Sequence, residues 1–390
     1  MAKILIFTAK WPFSNYEIDG GSITVSQYVS VLSQRHEVDY LYLKKNKDEV
    51  QCNVEGIHNL EVVDGEYLDY HTYNSVDSNK FIARLNNIKY NNQLIKERID
   101  RYDIVLIVHC LQAMGLEAEL TEAQLKKIIV LPMLLAGSYI KSGDMVPQEY
   151  IEAEKRILNA VGTIITPSTT ERDYIVDSYS VESGKIQVIP RAVGREFIAE
   201  PHKVVTEPID LCYVASFKNQ KNNIDAIRLI HELKLRNISA RLHLVGTRQD
   251  ANVYQACTDY VNQNDLTKLV VFHEIMSQGD LASFYQNMDF NISTSLCETF
   301  GRSIFEGLAM GLPTIAYDCL EEVVHLTQRK PGIVFVSDWV QMADEIINLL
   351  NKSDYEEMSR QAIQIGEKFA YSTQERSINL TIDSILNTGK

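Results

Sequence analysis

Short apolar, β-rich runs alternate with segments of helical periodicity along almost the whole chain of 390 residues. In the first half, KILIFTA (3–9), EVDYLYL (37–43) and DIVLIV (103–108) predict strands, and QEYIEAEKRILNAV (148–161) predicts a helix. This alternation is typical of parallel sheets with helices on both faces. The sequence therefore predicts an α/β, doubly wound fold, with residues 44–80 left as an irregular excursion.

A polar segment with two prolines, EFIAEPHKVVTEPID (196–210), interrupts the series and is typical of a linker. Strands and helices then alternate again, and the chain ends in helices from Trp339 onward. We expect two Rossmann-like domains in tandem, and we place their bounds at 1–200 for the first, 201–370 for the second and 371–390 for a C-terminal helix that packs back on the first.

Composition restricts the functions open to the chain. It carries 38 basic and 52 acidic residues, a formal charge of −14, which opposes binding to nucleic acid and to anionic lipid. The six cysteines form no C-x-x-C pair, as expected of free thiols in a reducing compartment. No apolar run approaches the length of a membrane span. We expect a cytoplasmic protein that binds no nucleic acid, and a peripheral position at the inner face of the membrane stays open.

The stretch STSLCETFGRSIFEGLAMGLPTIAYD (293–318) is the most informative part of the sequence. In it a strand ends, a loop carries Glu298, and Gly301 opens a helix that holds Glu306. Ligands of open α/β sheets bind at the carboxyl ends of strands, and the amides at a helix start suit a diphosphate. Glu306 lies roughly 7 to 8 Å further along the helix axis. This arrangement suits a nucleoside diphosphate sugar, although Glu298 as a helix cap and Glu306 as a solvated helix residue remain the alternative.

The same stretch resembles the retaining glycosyltransferases of the two-domain GT-B fold, family 4 (glycosyl transferases group 1). Their second domain carries E-x-F-G-x-x-x-x-E followed by A-x-G-x-P, matched here by ETFGRSIFE and AMGLP. The resemblance implies two Rossmann-like domains facing a central cleft, the first for the acceptor and the second for the nucleotide sugar. It implies donor contacts from Phe300, Gly301, Arg302, Ser303 and Glu306.

The resemblance extends to the loop after the first strand of the second domain. YVASFKNQKNNIDAI (213–227) resembles the segment that places an arginine and a lysine on the diphosphate. Lys221 matches the lysine, while Ser216 stands where the arginine is usual, so a planar donor fork is missing. Lys218 or Arg302 is a candidate to compensate.

Further matches and departures lie elsewhere. Gly20 and Gly21 follow the first strand, as in the family's glycine loop, and are expected to bind the donor; an ordinary strand-to-helix turn is the alternative. His109 ends the strand DIVLIVH near the family's histidine that faces the donor sugar; the alternative is a half-buried strand-end histidine bonded to backbone. Arg191 and Ala192 replace the usual Asn-Gly of the hinge. Glu274 replaces the usual glycine near the nucleobase.

These residues predict a retaining transfer of a hexose-type sugar from a nucleotide diphosphate donor, a UDP-sugar, to a hydroxyl acceptor that the sequence does not identify. Glu298, His109 and Lys221 form the expected catalytic set, with Glu298 positioning the sugar. No strict Asp-x-Asp pattern occurs in the sequence, so we expect no metal and no other cofactor. A non-catalytic GT-B module that binds a partner or a glycan and a nucleotide-sugar epimerase are the alternatives.

The segment KFIARLNNIKYNNQLIKERIDR (80–101) is the one sizeable basic cluster in the sequence. Its apolar residues fit a stripe along a helix. Such a helix either contacts a membrane or an acceptor, or packs as a solvated helix on the first sheet.

Overall fold

A computed structural model describes residues 1–11, 20–44, 56–65, 80–141, 144–202, 205, 207–298, 300–351 and 355–388. The chain divides into two compact units. Residues 1–190 and 375–390 form the first unit, and residues 191–374 form the second.

The sheet of the first unit has seven parallel strands in the order β3-β2-β1-β4-β5-β6-β7. The order turns back between β1 and β4, which is the topological switch point of a doubly wound sheet. The strands are β1 (Lys3–Thr8), β2 (Glu37–Lys44), β3 (Asn59–Asp64), β4 (Ile104–Val108), β5 (Ile128–Leu131), β6 (Thr163–Thr166) and β7 (Ile186–Val188).

The described helices of the first unit connect these strands and pack on the sheet. They are α1 (Gly20–Leu32), α2 (Lys80–Asn86), α3 (Ile88–Lys96), α4 (Glu122–Leu125), α5 (Ala136–Lys141), α6 (Gln148–Ala160) and α7 (Thr169–Tyr179). All five residues of β4 are buried, because a central parallel strand is covered on both faces. The predicted doubly wound fold is confirmed.

The sheet of the second unit has six parallel strands in the order β10-β9-β8-β11-β12-β13. The strands are β8 (Ile209–Val214), β9 (Ala240–Val245), β10 (Val270–His273), β11 (Phe290–Ser293), β12 (Thr314–Tyr317) and β13 (Ile333–Val336). The helices are α8 (Asn223–Leu235), α9 (Ala251–Gln263), α10 (Gln278–Tyr285), α11 (Arg302–Ala309), α12 (Glu321–Thr327), α13 (Trp339–Asn351) and α14 (Tyr355–Gly366). The last helix, α15 (Tyr371–Thr388), belongs to the first unit from Glu375 onward.

The second unit begins at Arg191, ten residues before the start that we placed at residue 201. Val193 and Phe197 are buried in the hydrophobic core of this unit, and the Val193 amide donates to the Phe369 carbonyl at 2.9 Å. The start of the segment that we interpreted as a linker is therefore packed structure. Its apolar residues were outweighed in the sequence by the polar residues and prolines around them.

Two details of the first unit differ from the sequence-based expectation. Strand β3 lies within the excursion 44–80, where we assigned no element; it is an edge strand whose residues are half-buried or exposed, so its apolar signal is weak. The basic segment forms two helices rather than one, because the chain is not helical at Asn87.

Two basic residues of this segment form ion pairs, and a third is buried. Lys96 pairs with Glu119 at 2.9 Å, Arg98 donates to Glu61 at 3.0 Å, and Arg84 is buried. Several apolar side chains of this segment join the hydrophobic core of the first unit, among them Phe81, Leu94 and Ile95. This environment favours the solvated helix that packs on the sheet. Among the described helices, none is long and apolar enough to cross a membrane.

Glu154, on α6, is a fully buried carboxyl group in the first unit. One of its oxygens accepts from the Ala136 amide at 2.9 Å and from the Tyr179 hydroxyl, which fixes the start of α5. Burial raises the pKa of Glu154 to about 7. Because the folded state then holds a proton that the unfolded chain releases, this group stabilises the fold below pH 4.5, and the contribution is lost as the pH rises to 7.

We expect Glu154→Gln to remove this pH dependence. Relative to wild type, the variant should gain about 2 to 3 kcal/mol of stability between pH 5 and pH 8, because it has no proton to lose. Urea unfolding at several pH values measures the difference. Glu152→Gln, which removes an exposed carboxylate from the same helix, is the control and should follow the wild-type profile. Parallel profiles for all three proteins would contradict the expectation.

Helix α11 lies close against strand β11 because of a glycine. A Cβ atom at Gly307 would lie 2.4 Å from the Asn291 side-chain nitrogen and 2.8 Å from the Asn291 Cβ. Asn291 is buried, so it has little room to move. The distance between this helix and the sheet therefore depends on the absence of a side chain.

We expect Gly307→Ala to destabilise the protein by about 1 to 3 kcal/mol, because overpacking displaces α11 from β11. The matched control is Gly279→Ala on α10, where a Cβ would meet no atom within 4 Å. That control should be neutral or gain up to about 1 kcal/mol, since alanine is the better helix former. Equal midpoints of unfolding for the two variants would show that the contact at Gly307 has been overestimated.

Candidate active site

The carboxyl ends of β8 and β11, which are neighbours in the second sheet, bring Lys221 and Glu298 together. Lys221 ends a single 3₁₀ turn, Asn219–Lys221, after β8, and Glu298 lies in the loop after β11. The Lys221 Nζ and Glu298 Oε1 atoms form an ion pair whose side chains are 17% and 14% exposed. The two charges that the sequence placed at the donor site therefore contact each other directly.

Backbone contacts hold these two loops in register. The Leu296 amide donates to the Gln220 carbonyl at 2.9 Å, and the Gln220 side-chain amide donates to the Cys297 carbonyl at 2.9 Å. The buried Tyr213 hydroxyl lies 2.6 Å from the Lys221 carbonyl and 2.7 Å from the Ser295 hydroxyl. The position of the Lys221–Glu298 pair is thus set by the chain itself. The sequence analysis did not single out Gln220 and Tyr213. In the sequence, Gln220 is an ordinary polar loop residue and Tyr213 is an ordinary aromatic residue of a strand.

Helix α11 begins at Gly301, which adopts the left-handed conformation with φ of +77°. A Cβ atom there would also lie 3.1 Å from Val323 and 3.2 Å from Ile304. Both the positive φ and the close packing therefore favour glycine at this position. The amides of Arg302 and Ser303 stand in the first turn, where an α-helix offers them no internal acceptor. The predicted helix start is present at these residues, and its binding of an anion stays a prediction.

Glu306, one turn into α11, is 2% exposed. Among the described residues, its Oε1 atom has no hydrogen-bond partner. Burial raises the pKa of Glu306 to about 7, against the opposing attraction of Arg302. The interpretation of Glu306 as a solvated helix residue is therefore wrong, because the side chain is inside the protein.

Arg302 is turned toward the chain that enters the second unit. Its guanidinium donates to the Ala192 carbonyl at 2.6 Å. Burial lowers the pKa of Arg302 to about 10, which leaves the group protonated at neutral pH. The residue thus links the position of α11 to the segment after Arg191. Its compensation for Ser216, which is half-buried just after β8, stays a prediction, as does that of Lys218.

Phe300 is placed in the core rather than at an open surface. Its side chain is 1% exposed and stacks on Phe305 with ring centroids 4.5 Å apart, beside Phe369. The aromatic ring therefore anchors the start of α11. The resemblance implies a donor contact from Phe300. Because its side chain is buried, only its backbone could make that contact.

In the first unit, Gly20 and Gly21 form the first turn of α1, and Gly20 is exposed with space around its Cα atom. Residues 12–19, between β1 and α1, lie outside the described part of the chain. The expected glycine loop is thus seen only at the point where it becomes helix.

His109, at the end of β4, has a φ of +84°, which is unusual for a residue with a side chain. Its amide donates to the Leu131 carbonyl at 2.8 Å, and its Nδ1 accepts from the Leu111 amide at 3.2 Å. A neutral ring therefore carries its proton on Nε2, which lies 3.4 Å from the Tyr139 hydroxyl. Both elements of the backbone-bonded, half-buried alternative are observed. The strained backbone is what functional positions often retain, so the catalytic role stays a prediction.

One group of three side chains among the described residues brings metal-ligand atoms together. Glu37, Asp39 and His58 each offer one atom within 4.8 Å of the others. The Lys3 ammonium already contacts the Glu37 carboxylate at 2.7 Å. The group lies at the amino end of β2, at the opposite edge of the sheet from the strand end that carries His109.

A family model described as "Glycosyl transferases group 1" matches residues 194–369. D-inositol 3-phosphate glycosyltransferase of Paenarthrobacter aurescens (strain TC1) is 19% identical over 252 residues, which are 61% of this chain and 60% of that protein. The matched part of the chain thus spans less than two thirds of this relative's length.

Two solved structures resemble the chain over nearly its full length. Sucrose-phosphate synthase from Thermosynechococcus elongatus covers 100% of both chains with a TM-score of 0.79 at 15% identity. Anabaena HepE in complex with UDP-glucose covers 98% of this chain and 100% of its own, with a TM-score of 0.68 at 13% identity. These likenesses show the fold, which is of the GT-B type. Residues 194–369, which make up most of the second unit, are thus similar to the family glycosyl transferases group 1.

Proposed function

We propose that the chain is a retaining glycosyltransferase that moves a hexose-type sugar from a UDP-linked donor to a hydroxyl acceptor without a metal ion. The observation that carries this proposal is the Glu306 carboxyl group, which is buried at the start of α11 with one oxygen lacking any partner among the described residues. Leaving a buried acceptor unbonded costs about 1 to 3 kcal/mol. A pair of ribose hydroxyls would satisfy it.

The diphosphate would be held by the Lys221 ammonium and the first-turn amides of α11. Both features stand at neighbouring strand ends of one unit, and both carry positive charge toward a leaving diphosphate. Since Lys221 contacts Glu298, a diphosphate on Lys221 frees the Glu298 carboxylate to accept from sugar hydroxyls. The ion pair would thus be exchanged for two contacts with the donor.

Retention of the anomeric configuration is compatible with a carboxylate that only positions the sugar. The acceptor hydroxyl would then attack from the same face from which the leaving group departs. Glu298 is tied to Lys221, so it is better suited to hold hydroxyls than to act as a nucleophile. The absence of Asp-x-Asp from the sequence supports transfer without a metal. The similarity to HepE, a protein solved in complex with UDP-glucose, supports a UDP-linked donor.

Donor hydrolysis and thermal shift with UDP-, GDP- and ADP-sugars, with and without EDTA, test the proposal. A donor at 100 times its dissociation constant should add about 2.7 kcal/mol of stability. No turnover and no shift with any donor would favour a non-catalytic module. Loss of turnover in EDTA would contradict the metal-free mechanism. NMR of the sugar product distinguishes transfer with retention from epimerisation of the donor.

We expect UDP affinity to rise with pH through the pKa of Glu306, because only the ionised carboxylate accepts two hydroxyl bonds. The pKa of Glu306 is raised to about 7, so affinity should increase roughly tenfold from pH 6 to pH 8 relative to Glu306→Gln. Calorimetry with both proteins measures the ratio, from which the titration of UDP itself cancels. If the ratio of the two UDP affinities does not change with pH, Glu306 does not bind the ribose.

We expect Glu298→Gln to separate sugar chemistry from nucleotide binding. Turnover should fall roughly ten- to a hundredfold, the worth of one charge-assisted bond. UDP affinity should be unchanged or higher, since Lys221 loses a competing carboxylate. Lys221→Met serves as the contrast and should weaken UDP and UDP-sugar alike. Equal losses of UDP affinity in the two variants would show that this division of roles is wrong.

A further inference from the structure

Two exposed thiols flank the loop that carries Glu298. Cys297 immediately precedes Glu298, and Cys319 is the second residue after β12. Because β11 and β12 are paired parallel strands, the loops that leave their carboxyl ends are neighbours. The two cysteines are far apart in sequence but adjacent in the fold.

The distance between them is short. The Cys319 Sγ atom lies 3.7 Å from the Ser295 carbonyl oxygen and 3.7 Å from the Leu296 carbonyl oxygen. A carbonyl oxygen lies about 2.8 Å from the next Cα atom, so the Cys319 sulfur is within roughly 6.5 Å of the Cys297 Cα. Rotation about the Cys297 side chain and a small loop movement suffice to join the sulfurs.

We propose that Cys297 and Cys319 form an oxidation site that closes to a reversible disulfide on reaction with hydrogen peroxide. The Cys297 thiolate attacks a peroxide oxygen, the O–O bond breaks, and a sulfenic acid and hydroxide form. The Cys319 sulfur then attacks the sulfenic sulfur, the S–S bond forms, and the oxygen leaves as water. In sum two thiols are oxidised, peroxide is reduced to two waters, and the two thiol protons are taken up by these waters.

The order of attack follows from the surroundings of the two thiols. Partial burial raises the pKa of the Cys319 thiol, and Asp318 and Cys297 add to the effect. Cys319 therefore suits the second, resolving step. Cys110, Cys212 and Cys257 are buried in the cores, and burial raises the pKa of each of these thiols. They are poor competitors for peroxide.

The disulfide would act on the candidate active site through the backbone. The Cys297 carbonyl accepts from the Gln220 side chain, and the next residue forms the ion pair with Lys221. A bond to Cys319 draws Cys297 toward the β12 loop and away from these contacts. Because a displacement of about 1 Å can cost a hundredfold in rate, oxidation should lower turnover roughly ten- to a hundredfold. This effect rests on the proposed function; the formation of the bond does not.

The test treats the full chain with a small excess of peroxide. Intact mass should fall by about 2 Da, and digestion without reductant should release a peptide pair that joins Cys297 to Cys319. Turnover should fall and return with dithiothreitol. Cys297→Ser and Cys319→Ser are the controls, and neither should show the linked peptides or the reversible loss of turnover.

A wild-type protein that yields no linked peptides would overturn the proposal. Inhibition of the serine variants to the same extent as wild type, or a disulfide that leaves turnover unchanged, would overturn the regulatory effect. The peptide mass does not depend on any substrate. A chain that forms the disulfide but turns over no donor would therefore contradict the proposed function alone.

Discussion

The candidate site depends on the contact between two loops that leave neighbouring strands of the second sheet. The buried Tyr213 hydroxyl joins the Lys221 carbonyl to the Ser295 hydroxyl, and Gln220 bonds to both Leu296 and Cys297. An ammonium and a carboxylate cost much to bury singly, and here they meet in a place that the backbone fixes. Because these hydrogen bonds of uncharged groups set the geometry, the charged residues do not have to hold the loops themselves.

Helix α11 provides the other half of the site, and its position follows from small and aromatic residues. Gly307 allows the close approach to β11, and the Phe300–Phe305 stack anchors the helix start. Glu306 is consequently carried into the interior, where its side chain is almost completely buried. The same packing that stabilises the helix thus gives this side chain its raised pKa.

The sequence predicts much of this architecture, because parallel sheets leave a strong alternation of buried strands and amphipathic helices. It also predicts that Glu298, Gly301 and Glu306 share one strand end, since their spacing crosses a strand, a loop and a helix. It does not show that Phe300 is a core residue. A phenylalanine in a sequence motif is compatible both with packing in the core and with contact to a ligand. The sequence also does not predict edge strand β3 or the early start of the second unit. A partly exposed strand and a packed loop both lack a regular spacing of apolar residues.

The return of the chain from the second unit to the first has a consequence for synthesis. Residues 375–390 are grouped with residues 1–190, and Arg35 bonds to Asp383 at 3.1 Å. The second unit is contiguous and can fold as soon as it leaves the ribosome. Most of the first unit is translated earlier, but its last helix is translated only after the second unit. The first unit therefore cannot form its final contacts until the second unit has been synthesised.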